Sequence, residues 1–158
     1  MKKLKLYLDS SIMSHLNAPD AIEKMQDTIA LWEAIKAGVY EVYLSDVVFN
    51  EMERCQEPKR SLMYQFLAEI KYATVKHCLE IETIAEQIIN IEILTRKSYD
   101  DCLHIGSAIV AECDYIVSWN FQHMVNVKTI NGVRAITNLY HYKNIDIVTP
   151  SMFVQREN

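Results

Sequence analysis

Three short runs rich in β-favouring residues, LKLYL (4–8), VYEVYL (39–44) and YIVSW (115–119), stand apart from one another with helical periodicity between them. Strands spaced by helices cannot pair as tight hairpins. They need crossover connections, which run right-handed and lay the strands parallel beneath helices. The expected class is therefore α/β, a parallel sheet of about five strands with helices on both faces. Residues 145–148 supply one of the remaining strands and residues 73–76 a weaker candidate.

The intervening segments carry helix signals. Residues 17–36 repeat Ile22, Met25, Ile29 and Trp32 on one stripe, with Asn17 as a cap, Pro19 in the first turn and Gly38 closing the far end. Ser45-Asp46 offers a cap for a helix over 47–55, and residues 59–70 and 81–94 continue in helical register. Ser98-x-x-Asp101 resembles a capping box opening a helix that runs to about residue 112. No linker, repeat or low-complexity tract interrupts the pattern, so residues 1–158 are expected to form a single domain, long enough to bury about 70% of its unfolded surface.

Cys55, Cys78, Cys102 and Cys113 never form C-x-x-C and lie in apolar stretches, as reduced core thiols do. Net charge is −5, without any Lys/Arg block, so the footprint of a general nucleic-acid binder is missing. A carboxylate metal site would itself contribute negative charge, which divalent cations would offset locally. The sequence has no signal-peptide pattern at its start and no run of about 18 apolar residues, which predicts a cytoplasmic protein without a membrane span.

In an open parallel sheet, functional groups collect beyond the carboxyl ends of the strands. Asp9 follows the first strand there, although an Asp in that position more often caps a helix or forms a turn. Glu51 lies on the helix after strand two; on spacing alone it reads as a solvated glutamate, with Glu53 two residues on. Asp101 sits in a helix first turn, where the dipole alone would favour a carboxylate. Asn120 follows the 115–119 strand at the same edge as Asp9, whereas Asp114 begins that strand, about 15–20 Å from its exit, and is excluded. Carboxylates joined by an amide suit Mg²⁺ or Mn²⁺ better than zinc, and in-line hydrolysis by metal-activated water is the matching chemistry.

Four segments, LYLDSSI (6–12), SDVVFNEM (45–52), DCLHIGSA (101–108) and DYIVSWNFQH (114–123), together resemble PIN-domain proteins in order and spacing, and are similar to the VapC-type ribonuclease toxins of toxin-antitoxin pairs. The resemblance covers nearly the whole chain. It implies a PIN fold in which Asp9, Glu51 and Asp101 hold Mg²⁺ or Mn²⁺, with Ser11 beside the first acid. It implies RNA as substrate, a homodimer and an antitoxin partner. At the fourth motif, Ser118-Trp119-Asn120 gives the amide form, so the fourth acid is absent and a second tightly held metal is not expected. His123, three residues on, is a candidate substrate contact.

A haloacid-dehalogenase-like phosphatase needs a second Asp where this chain has Ser11, and three glycines in all leave no phosphate-cradling loop. The remaining alternative is a PIN-like module that has lost catalysis and serves in RNA binding or assembly.

Overall fold

The computed structural model describes residues 2–155. Its sheet has five parallel strands in the order β3-β2-β1-β4-β5: β1 Lys5–Leu8, β2 Glu41–Ser45, β3 Ala73–Val75, β4 Tyr115–Val117 and β5 Asp146–Val148. The central β1 reads KLYL and is buried along Leu6, Tyr7 and Leu8, as a strand covered on both faces should be. β1 pairs with β2 on one side (Tyr7 opposite Tyr43) and with β4 on the other (Tyr7 opposite Ile116).

Seven α-helices fill the connections among the described residues: α1 Ser10–His15, α2 Ile22–Lys36, α3 Asp46–Glu53, α4 Lys59–Leu67, α5 Leu79–Asn90, α6 Tyr99–Val110 and α7 Val127–Leu139. From β1 the chain steps outward to β2 and β3, then returns to β4 on the other side of β1 and steps out again to β5. Right-handed crossovers put the helices of these two halves on opposite faces. The packing agrees, for α1 lies on α2, α3 and α4, whereas α5 lies on α6 and α7. The direction of winding reverses between β1 and β4. There the carboxyl ends of two neighbouring strands open a crevice.

Some local expectations need correction. Residues 17–21 are turn and bend, and α2 starts at Ile22 without a side-chain cap; Asn17 and Pro19 serve instead in the link from α1. That helix was not anticipated, because Asp9-Ser10-Ser11 reads equally well as a strand exit. Asp9 in fact caps α1, its carboxylate accepting the Ser11 amide. The box suggested by Ser98-x-x-Asp101 does not form: a 3₁₀ turn, Arg96–Ser98, precedes α6, and Ser98 makes no side-chain cap. Gly38 does close α2, with φ +81°. All four cysteines are reduced; Cys102 and Cys113 are buried, and Cys55 and Cys78 only half-buried. No described helix is long and apolar enough to cross a membrane.

Candidate active site

Asp9 leaves β1 at the crevice and is 4% exposed. Its Oδ1 accepts the Ser11 amide at 3.0 Å and the Ser11 hydroxyl, and its Oδ2 accepts the Ser118 hydroxyl from the exit of β4. Ser11 Oγ also accepts the Trp119 amide at 3.0 Å, and Ser118 Oγ the Asn120 amide at 3.0 Å. The two hydroxyls thus bind the β1 exit to the β4 exit through one carboxylate. Burial drives the Asp9 pKa upward, and the Glu51 charge adds to the rise; His104 and the two serine hydroxyls oppose it.

Asp101, in the first turn of α6, has its pKa raised to about 6. Burial is the main cause, and the charges of Glu51 and Asp9 add to it while His104 and His123 oppose it. Glu51 reaches in from α3. Asp101 therefore feels both other acids and Asp9 feels Glu51, as neighbouring carboxylates do.

His104 completes the cluster, and sequence reasoning did not find it. It is 1% exposed, one turn along α6 from Asp101. Its Nε2 meets the Glu51 carboxylate, and its Nδ1 lies 2.6 Å from the Tyr7 hydroxyl, which is 2.7 Å from Ser45 Oγ. The chain Glu51–His104–Tyr7–Ser45 so links α3, α6, β1 and the end of β2. A neutral imidazole donating to Glu51 accepts the Tyr7 proton, and Ser45 donates to the phenol oxygen; a protonated imidazole reverses the Tyr7 link. Burial by itself would lower the His104 pKa, but the hydrogen bond and charge of Glu51, with the charges of Asp9 and Asp101, carry it above the ordinary value. Protonated, the imidazole would be an internal counter-charge for the acids. The available signal was the Asp101-x-x-His104 spacing, which puts both residues on one helix face.

The other expected residues are differently engaged. Asn120 Oδ1 accepts the His123 amide at 3.0 Å, closing a turn. Glu53 accepts the Tyr64 hydroxyl at 2.6 Å away from the acids. Asp114 lies at the start of β4, bound to the Lys5 amide at 2.8 Å and to Lys143 at 2.7 Å.

Three oxygen donors of this kind suit a hard divalent cation in chemistry. In arrangement, the described residues contain no three His, Cys, Asp or Glu side chains placed to hold one ion together. Glu51 is drawn onto His104, and both Asp9 oxygens carry hydroxyl donors. The donor set thus fits such an ion in kind, with Glu51 turned inward.

No protein-family model matches the sequence, and no curated protein matches it either. Among solved structures, the chain is similar to one of VapBC2 from Rickettsia felis, crystallised bound to a DNA fragment from their promoter. The two are 13% identical with a TM-score of 0.57, over 92% of this chain and 98% of that one. At that identity the likeness concerns the fold, and with the five-stranded parallel sheet it identifies an α/β, PIN-like architecture.

Proposed function

We propose that the chain is a Mg²⁺- or Mn²⁺-dependent endoribonuclease, the toxin of a toxin-antitoxin pair, acting in the cytoplasm as a single-domain subunit of a homodimer. The observation that carries this reading is the electrostatic influence of Glu51 on both Asp9 and Asp101, whose pKa values it helps to raise. A resemblance in four motifs supports it, as does the likeness in fold to VapBC2.

In this reading Asp9, Asp101 and Glu51 hold the cation, which when bound would offset their repulsion and polarise the scissile phosphate. Ser11 and Ser118 orient Asp9 by taking one oxygen each. The carboxyl of Asp101, which burial and the neighbouring acids push up to about 6 without a cation, would be held ionised by a bound cation. His104 holds Glu51 directed inward, and Asn120 fixes the backbone that carries His123, a substrate contact.

The decisive experiment is an RNA cleavage assay with Mn²⁺, set beside calorimetric titration of the metal. Wild type should cut, and Asp9→Asn and Asp101→Asn should lose cutting and weaken metal binding together. If wild type cuts nothing while both variants bind metal as it does, the nuclease reading fails. The inactive RNA-binding or assembly module would then stand, a reading favoured by the absence of three converged ligands among the described residues.

A further inference from the structure

Beyond the acids, the β4 exit carries an aromatic surface that the proposed chemistry does not use. Phe121 follows Asn120 directly and is 50% exposed. Its ring lies 6.3 Å from that of Trp119, at 57°, and Lys24 Nζ stands 5.2 Å from the Phe121 ring centre and 5.6 Å from that of Trp119. On its other side Phe121 borders a cavity of about 270 Å³ whose wall includes Gln122, His123, Ser98 and Lys128.

The loop that presents Phe121 is braced. The Asn120 carbonyl accepts the amides of Met124 and Val125 at 3.0 and 2.8 Å. Asn126 Nδ2 donates to the carbonyls of Phe121 and Gln122, both at 3.1 Å, while its Oδ1 caps α7 through the Thr129 amide at 2.9 Å. Thr129 Oγ1 donates to the His123 carbonyl at 2.9 Å. A half-exposed phenyl ring held this firmly has lost its backbone entropy before any ligand arrives, which is what a binding platform requires.

We infer that Phe121 is a stacking platform for one unpaired nucleobase of an RNA strand, seated in the adjoining cavity, with Lys24 and Lys128 placed for the flanking phosphates. The inference rests on the nuclease reading and gives it a substrate class. Charge favours this occupant: in a chain of net charge −5, Lys24 stands over this ring and Lys128 lines the adjoining cavity, and a strand that stacks a base there brings its phosphates to them. Size is consistent with it as well, since the cavity, at about 270 Å³, falls just below the ~300–1,000 Å³ usual for ligand pockets and has room for one base rather than a larger ligand. A base must be unstacked to offer its face to an aromatic side chain, so duplex RNA cannot use the platform. The path to the acids is short, running from Phe121 through Asn120 to Ser118, which holds Asp9.

The test is fluorescence anisotropy of a labelled 12-nucleotide single-stranded RNA and of a hairpin of equal length, in EDTA so that nothing is cut. The full-length wild type is compared with Phe121→Ala, Phe121→Leu and Phe121→Trp, each checked for an unchanged melting temperature. Phe121→Ala and Phe121→Leu should bind the single strand about 5- to 100-fold more weakly, the range that loss of one stacked base gives. Phe121→Trp should restore binding, and hairpin binding should not respond. Wild-type strength in Phe121→Leu, equal losses on the hairpin, or no binding of the single strand by wild type would each overturn the inference. Cleavage with Mn²⁺ is scored separately. Ring-dependent binding without cleavage removes the nuclease reading and leaves the platform, whereas cleavage with ring-independent binding does the reverse.

Discussion

Because His104 has both ring nitrogens committed, one to Glu51 and one to Tyr7, removing the imidazole strands a carboxylate and a buried phenol at once. His104→Ala should destabilise the protein by about 2–4 kcal/mol in urea unfolding, somewhat below the usual cost of breaking a fully buried pair, because the Glu51 side chain remains 26% exposed. A loss under about 1 kcal/mol would mean that water replaces the imidazole. Tyr7→Phe should lose less, about 1–2 kcal/mol, since it unpairs the Ser45 hydroxyl and His104 Nδ1 but leaves the His104–Glu51 contact in place. Glu51→Gln should lower cleavage at least about tenfold, and Glu53→Gln, whose native partner is Tyr64, should leave it nearly unchanged; equal effects in the kinetic assay would shift the second ligand. Asp9 and Asp101 could be singled out by position, one at a strand exit and one in a helix first turn. Glu51 could not, because a helix surface offers two similar glutamates and only the tertiary approach of His104 distinguishes them. His104 itself was hidden for the opposite reason. A histidine among apolar residues reads as core, and its one signal, the Asp101-x-x-His104 spacing, does not reveal the approach of Glu51 from another helix.

Among the elements, α5 and α6 are packed most intimately, and Gly106 makes that possible. A Cβ at this position would stand 2.9 Å from the Ile81 carbonyl oxygen and 3.3 Å from its Cγ2, so relief would require one helix to move. Replacing a helical glycine by alanine normally gains about 1 kcal/mol; here overpacking should outweigh it. Gly106→Ala is expected to lose about 1–2 kcal/mol net, measured as a lower urea midpoint at constant slope, and a gain would mean that the two helices part easily. Since α6 carries both Asp101 and His104, the same change should also reduce cleavage. The strands were legible because their β-branched and aromatic runs are short and bounded by polar residues, even β3, which has three residues only. Two helices were not. α1 has six residues, and its cap, Asp9, is also the proposed metal ligand, so one polar cluster carried two readings. α7 begins after Asn126, a true cap, but its buried stripe of Thr129, Val133, Ile136 and Thr137 includes two threonines and so lacks the hydrophobic contrast that announces a helix.

For the whole molecule, the acid cluster ties stability to pH in an unusual direction. Asp101 has a folded pKa of about 6 against about 3.9 in an unfolded chain. Between these values the folded state binds the extra proton, so its stability falls as pH rises from about 4 to 6 and stays lower above that. His104, whose folded pKa is raised, acts in the same sense: its contribution is complete below about pH 6.5 and is lost as pH climbs through the folded value. The metal-free protein should therefore melt at a lower temperature at pH 8 than at pH 5.5. Neutralising Asp101 removes its share of that penalty, roughly 2–3 kcal/mol, less about 0.3–1 kcal/mol for the carboxylate's favourable place in the first turn of α6. Asp101→Asn should consequently raise the pH 8 melting temperature of the metal-free protein by about 4–8 °C for a domain of this length. At pH 5 the rise should be about half as large, vanishing only below about pH 4. Saturating Mn²⁺ has the opposite selectivity: at about 100 times its Kd it would add about 2.7 kcal/mol to wild type and much less to Asp101→Asn. Differential scanning calorimetry at the two pH values, with and without Mn²⁺, checks both halves. A variant less stable than wild type at pH 8 would show that Asp101 is paired rather than crowded, whereas equal Mn²⁺ stabilisation of the two proteins would remove Asp101 from the ligand set.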